Sequence, residues 1–291
     1  MTTLPYVGRF APSPSGPLHF GSLIAALGSY LRARSLAGKW LLRIEDIDPP
    51  REVAGASDDI LRTLEAYGML WDDTELYQSH RTQAYRARLD ALLRQEQAYY
   101  CHCSRRQIQA MGGLYDGRCG RLRPQLRGGA IRIRNRAAIA AFDDILMGRV
   151  SVDNAFAAED FIIRRSDGLY AYQLAVVLDD AFQGISEVVR GCDLIEASCR
   201  QLSLYSMFDL KAPDWLHLPL ACVKPGVKLS KQNHAPAIDK RRPQASLQAA
   251  LAFLGQPGVD DAGSVEQMLA QAVAQFRLDA IAQQSEILIG S

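Results

Sequence analysis

An α/β fold organised around a parallel sheet is predicted by three features of the sequence. The first 50 residues read strand, loop, helix, strand; the second of those strands is an almost unbroken apolar run; and short β-rich runs go on alternating with amphipathic helices. Residues 5–10 are the first strand, and residues 11–17 hold too much Pro and Gly to be anything but loop. A helix follows, with Ser22 as its N-cap and Leu23, Ile24, Leu27, Tyr30 and Leu31 at helical spacing. Residues 40–45 follow Gly38 as a strand apolar enough for burial on both faces, which completes a βαβ start. Further helices are expected over 57–67, stopped by Gly68, and over 82–94. The Asp167-Gly168 step between 161–164 and 169–178 suggests a hairpin. Then come a strand at 187–190, a helix at 193–208, a strand at 217–223, a Gly/Lys-rich loop at 224–233 and short helices beyond Pro243.

Composition narrows the class. With 48% hydrophobic and 22% charged residues the chain is globular, not disordered or fibrous. Its 33 basic and 32 acidic side chains give a net charge of +1, so a nucleic-acid partner has to be read from a local patch. No run approaches 18 apolar residues and residues 1–5 carry no basic segment leading into one, so neither a membrane span nor a secretory signal is expected and a cytoplasmic location is. Six cysteines in such a chain read as metal ligands, nucleophiles or buried side chains rather than as a disulfide framework.

Two segments suggest phosphate chemistry. Residues 15–22 hand a Pro/Gly loop to a helix start, where free N–H groups and the macrodipole favour an anion; Gly21 allows close approach and His19 can donate to a phosphoryl oxygen. Lys228-Leu229-Ser230-Lys231-Gln232 places two lysines in a loop after a strand, where they can close over a triphosphate. Either alone is a common surface feature.

Together they resemble the paired HIGH and KMSKS signatures of class I aminoacyl-tRNA synthetases. Residues 9–16 (RFAPSPSG), 43–48 (RIEDID) and 228–231 (KLSK) resemble the glutamyl branch more narrowly. The tetrad ends in Ser22 where the signature has His, and the lysine loop ends in Gln232. The resemblance covers about residues 5–240, leaving no room for a large anticodon-binding domain, as in truncated paralogues of glutamyl-tRNA synthetase. It implies ATP binding by Pro12, His19, Gly21, Ser22 and Lys231, with His19, Lys228 and Lys231 stabilising phosphoryl charge and Mg²⁺ accompanying ATP.

An acidic amino acid needs cations for its side-chain carboxylate and an acceptor for its ammonium group. Arg9 and Arg190, at strand ends, suit the first task because a guanidinium fork accepts a carboxylate and rejects an amide; Glu45, at the end of the second strand, suits the other. The resemblance adds Ala11, Ser13 and Tyr172 to this glutamate pocket. It further implies that the chain, as a monomer, activates L-glutamate and transfers it to the queuosine base in the anticodon of tRNA(Asp).

Cys101, Cys103 and Cys119 have spacing suited to one structural Zn²⁺, with the fourth ligand open between His102 and Tyr115. An extended backbone turns His102 away from both neighbouring cysteines, and the family pattern favours Tyr115. Residues 101–136 hold nine arginines against one aspartate, a basic patch suited to RNA in which Arg121 and Arg123 are the candidate contacts. Cys192, Cys199 and Cys222 lie in apolar stretches and are expected to be buried. The resulting organisation is a Rossmann-type catalytic domain in two halves (1–98 and 186–242), a zinc-bearing α+β module inserted at 99–185, and a short helical tail at 243–291.

Overall fold

Val7–Phe10 (β1) and Lys39–Ile44 (β2) pair in parallel across the helix Phe20–Ser35 (α1), the predicted βαβ start. The computed structural model describes residues 5–122, 125–229 and 235–289. Ala56–Ala66 (α2) leads to Leu76–Tyr77 (β3), which pairs in parallel with β2, and Thr82–Arg94 (α3) follows. Next come Ala98–Cys101 (β4), Arg105–Gln109 (α4), Arg118–Leu122 (α5), Ala130–Ile133 (β5), Ala141–Asp144 (β6), Gly148–Ser151 (β7), Asn154–Ala158 (α6), Ile162–Arg164 (β8) and Tyr172–Gln183 (α7). Here β4, β5 and β8 form a small antiparallel sheet, and β6 with β7 a hairpin. Glu187–Gly191 (β9) and Asp214–Leu218 (β10) pair in parallel around Ala197–Met207 (α8). Leu220–Lys224 (β11), Val227–Lys228 (β12), Pro243–Phe253 (α9), Val265–Ala274 (α10) and Glu286–Leu288 (β13) complete the described chain.

β9 lies beside β1. At the start of the two strands the Ser186 amide donates to the Val7 carbonyl and the Val7 amide to the Ser186 hydroxyl, both at 2.9 Å. The parallel strands therefore run in the order β3-β2-β1-β9-β10, and the direction of winding reverses between β1 and β9. In open α/β sheets the crevice at such a switch point, outside the carboxyl ends of the strands, is where ligands bind.

Both faces of these strands are covered. Phe10, Trp40, Leu42, Ile44, Val189 and Leu216 enter a core shared with α1, α9 and α10; Leu41, Val188 and Trp215, one residue out of step, enter a second core with α7 and α8. Period-2 alternation then sends Arg9, Arg43, Arg190 and His217 to the α7 face, three guanidinium groups under one helix.

Several expectations are corrected. α1 starts at Phe20 with His19 as N-cap, so Ser22 is not the cap but the third helical residue. The expected hairpin reduces to one antiparallel bridge between Arg164 and Tyr170; most of 169–178 belongs to α7, whose buried Leu174, Val176 and Val177 pack in the second core and override their β-propensity. The expected strand at 217–223 is two strands, broken at Pro219, which has no N–H for a ladder. The 310 turn Cys192–Leu194 precedes α8, which begins at Ala197 rather than at 193. β12 occupies part of the supposed 224–233 loop, and the tail is not only helical, since β13 joins β11 in parallel. Cys192, Cys199 and Cys222 are buried as expected. Among the described residues no helix is long and apolar enough to cross a membrane.

Candidate active site

A cavity of about 410 Å³ opens at the β1/β9 switch point, walled by Phe10, Pro12, Ser13, Ser15, His19, Gly21, Ser22, Gly191, Asp193, Lys228 and Leu229 among others. The start of α1 forms one side. Its cap is reciprocal: His19 Nδ1 accepts the Ser22 amide at 3.3 Å while the Ser22 hydroxyl accepts the His19 amide at 3.5 Å. The His-x-x-Ser spacing carried this signal, but Ser22 alone looked like the cap. A methyl group on Gly21 would lie 3.1 Å from the His19 ring and 3.3 Å from the Leu229 carbonyl oxygen. The glycine is thus what lets Leu229 lie against the helix start, so that the described part of the lysine motif, Lys228 and Leu229, meets the His19–Gly21 motif about 200 residues earlier in the chain. Lys228 Nζ pairs with the Asp193 carboxylate at the rim. Ser230, Lys231 and Gln232 lie outside the described residues.

A second cavity of about 410 Å³ shares Ser13 and Ser15 with the first and adds Glu45, Asp48, Arg51, Gln78, Arg165 and Tyr172 to its lining. Glu45 follows β2 directly, its amide held by the Pro12 carbonyl at 3.0 Å, so the Pro-rich loop is tied to the strand end; Ala11 stands in that loop between Phe10 and Pro12. Arg9 and Arg43 share Asp180 of α7, at 3.2 and 2.8 Å, and Arg43 also reaches Glu45 at 3.5 Å. Although burial alone would raise it, Arg43 and Arg9 hold the Asp180 carboxyl below its ordinary pKa. Burial pushes Glu45 above its ordinary value, with Arg43 and Arg9 opposing. Burial lowers Arg190, and Arg9 adds to that. Arg190 donates to the Tyr172 hydroxyl at 3.3 Å, which links this arginine to the cavity wall. Three guanidinium groups meet Asp180 and Glu45 in this corner, while Asp179 is engaged with Arg81.

The structure thus puts Ser13, Glu45 and Tyr172 in the lining of the second cavity, with Arg9 and Arg190 buried behind that lining. Sequence reasoning missed Arg43 and Asp180, which organise them, and the Asp144–His217 pair behind Arg190. A histidine between two leucines in a buried strand, residues 216–218, was the available signal.

The sulfur atoms of Cys101, Cys103 and Cys119 lie within 4.8 Å of one another, and Cys103 Sγ is 3.6 Å from Cys119 Sγ. Burial, then the contact with Cys119, pushes the Cys103 thiol up to about 12. The Tyr115 hydroxyl accepts the Cys119 amide at 2.8 Å, beside the thiols. His102 turns away, its Nε2 lying 3.0 and 2.9 Å from the Arg127 and Gly128 carbonyl oxygens. The group can hold a metal ion.

The arginine-rich segment is not one RNA-facing patch. Arg132 is buried, with its guanidinium 3.8 Å from the Tyr115 ring centroid and bonded to the Asp160 carbonyl. Arg134 lies over Tyr99 and donates to the Glu96 and Gly120 carbonyls. These two brace the cysteine cluster. Arg105, Arg106, Arg118 and Arg121 are exposed, with Arg121 bonded to the Asp116 carbonyl, and Arg123 lies outside the described residues.

A cavity at the switch point with a charged corner beside it stands where open α/β sheets hold their ligands, the arrangement of an α/β enzyme. Residues 6–287 match the family described as tRNA synthetases class I (E and Q), catalytic domain, and the chain belongs to that family. It is 74% identical over 285 residues to the glutamyl-Q tRNA(Asp) synthetase of Shewanella oneidensis, covering 98% of this chain and 95% of that protein. It is 56% identical over 283 residues to the protein of the same name from Escherichia coli (strain K12), covering 97% and 92%. Among solved structures, a glutamate tRNA ligase from Elizabethkingia meningosepticum in complex with its amino acid matches with a TM-score of 0.79 at 24% identity. That match covers 96% of this chain and 66% of the ligase, and the likeness is one of fold.

Proposed function

We propose that the chain activates L-glutamate with ATP and transfers it to the queuosine base in the anticodon of tRNA(Asp), the activity carried in its relatives' names. The observation that carries this reading is the shared wall: Ser13 and Ser15 line both the cavity at the α1 start and the cavity holding Glu45 and Tyr172, so a nucleotide in one adjoins an amino acid in the other. Arg9 and Arg190 receive the γ-carboxylate, Glu45 takes the ammonium group, and the Pro-rich loop at Ala11 and Ser13 spaces the two ends. The α-carboxylate oxygen attacks the α-phosphorus of ATP; that O–P bond forms as the bond to the bridging oxygen breaks and pyrophosphate leaves. ATP brings Mg²⁺, which offsets phosphate charge. The N–H groups of α1 with Pro12, Gly21 and Ser22 around them hold the nucleotide, and His19, Lys228 and Lys231 stabilise the charge on its phosphoryl oxygens. A hydroxyl of the queuosine cyclopentene diol then attacks the activated carbonyl, its proton passes to solvent, and AMP leaves.

Zn²⁺ has a structural place in the same reading. Cys101, Cys103, Cys119 and Tyr115 would hold it, three thiols and a phenol that suit a structural ion, with Cys103 Sγ 3.6 Å from Cys119 Sγ. An ion held there would fix the segment that carries the exposed Arg121, and Arg121 and Arg123 are the RNA contacts in this reading.

The direct test measures ATP–pyrophosphate exchange without tRNA, then charges tRNA with labelled glutamate and digests it. Exchange with glutamate but not glutamine, and label released with the queuosine fragment, are expected. Label on the 3′-terminal nucleoside would instead make the chain a charging enzyme for tRNA(Glu), and absence of exchange would make it a binding protein. Glu45 adds a pH signature. Its raised pKa means that its charge is complete above that value and is lost as pH falls through it. The KM for glutamate is therefore expected to rise on acidification at a pH above the ordinary carboxylate range of about 4.3, and the rise should vanish in Glu45→Gln.

A further inference from the structure

The guanidinium of Arg190 is held by Tyr172 of the second cavity's wall and, from behind, by groups that line neither cavity. Its Nη2 donates to the Ser198 hydroxyl at 2.7 Å and to the Leu194 carbonyl at 3.2 Å, its Nη1 to the Tyr172 hydroxyl at 3.3 Å, and its Nε to His217 Nε2 at 3.1 Å. His217 stands opposite Arg190 in the parallel register of β10 and β9, so both side chains leave the sheet on one face. An arginine Nε only donates, and His217 Nε2 must therefore present its lone pair. The imidazole proton is then on Nδ1, which lies 2.6 Å from Asp144 Oδ2. Asp144 is oriented in turn by its other oxygen, which accepts the Leu146 and Met147 amides at 3.0 and 2.8 Å. Both side chains are fully shielded from solvent. Burial lowers the His217 pKa, in keeping with a neutral ring. Trp215 closes the remaining side, its ring stacked with that of His217 and 4.8 Å from the Arg190 guanidinium.

We propose that Asp144 and His217 are positioning residues for the amino-acid pocket: Asp144 fixes the His217 tautomer, and that tautomer holds the Arg190 fork so that its second Nη1 hydrogen faces the substrate carboxylate. This rests on the reading of Arg190 as a ligand for the γ-carboxylate. Hairpin β6–β7, which supplies Asp144, thereby sets amino-acid specificity without touching the amino acid.

Asp144→Asn tests it with almost no change of shape. The amide oxygen stays on the two backbone N–H groups, since an NH2 there would face two donors. The NH2 then faces His217 Nδ1 and forces the proton to Nε2, where it meets the Arg190 Nε–H. The expected result is a KM for glutamate raised roughly 10- to 100-fold, with the KM for ATP within about twofold of wild type. The His217 ¹⁵N shifts should move from the Nδ1–H to the Nε2–H pattern. His217→Gln in the Asp144→Asn background puts an amide oxygen near the former Nε2 position and should restore most of the lost affinity. A folded Asp144→Asn enzyme with the wild-type KM for glutamate overturns the proposal, as does a loss shared equally by glutamate and ATP with no rescue by glutamine. Arg190→Ala keeps the two readings apart. If Arg190→Ala leaves the KM for glutamate unchanged, the ligand reading of Arg190 has failed; if Arg190→Ala weakens glutamate and Asp144→Asn does not, only the positioning role has.

Discussion

Arg9→Ala is expected to cut glutamate-dependent ATP–pyrophosphate exchange by roughly 100- to 1,000-fold at subsaturating glutamate, the effect of removing about 3–4 kcal/mol of buried charge-assisted bonding. ATP affinity should stay near wild type, because the cavity at the start of α1 does not include Arg9. The competing outcome is collapse of the buried charge network. Asp180 argues against collapse, since it keeps Arg43 at 2.8 Å when Arg9 is gone and so is not left as an isolated buried carboxylate. A variant that binds ATP, melts within a few degrees of wild type and no longer responds to glutamate is the expected result. Unchanged exchange kinetics would remove Arg9 from the pocket.

Cys119→Ser should have the largest effect on stability, and a local one. Among the described residues, the cluster around the cysteines buries Tyr99, Cys101, Tyr115 and Cys119, with Cys103, Ile108, Met111 and Leu126 packed against it. So small an apolar group does not offset the entropy of ordering residues 101–129. A structural zinc would add an apparent binding free energy of about 10–16 kcal/mol at pH 7, the range found in small domains. One zinc per wild-type chain is expected by elemental analysis and close to none in Cys119→Ser, with proteolysis of the variant starting inside 101–129. Tyr115→Phe should weaken metal retention and His102→Ala should not, because His102 is engaged with the carbonyls of Arg127 and Gly128. Metal-free wild-type protein with protease resistance equal to that of Cys119→Ser would refute the assignment.

What could be read from the sequence divides along a physical line. Periodicity located α3 at Thr82–Arg94 and the strand from Lys39 to within a residue, because each buries a face against the sheet and the pattern records that. The same logic failed at α7, where Val176, Val177 and two tyrosines read as strand; only the three-dimensional context shows that the segment lies between β-elements on one side and α8 on the other. At the site, residues in contiguous motifs were legible: Arg9, His19, Gly21 and Glu45 all stand where strand ends and a helix start require. The residues that orient them were not. Asp180 and Asp144 come from segments far from those motifs, and a single acidic residue at a helix or strand position carries no signal of a distant arginine or histidine. The arginine-rich stretch misled in the opposite way, since charge counting cannot tell Arg132, buried against Tyr115, from Arg105 in solvent.

The most direct measurement is a crystal structure with a non-hydrolysable glutamyl-adenylate mimic. The adenosine and its phosphate substitute are expected between the start of α1 and the segment at Lys228 and Leu229, with the glutamyl γ-carboxylate on Arg9 and Arg190 and its ammonium on Glu45. A mimic bound elsewhere, or bound there with its glutamyl arm turned away from both arginines, would contradict the assignment of an acidic amino acid to this pocket.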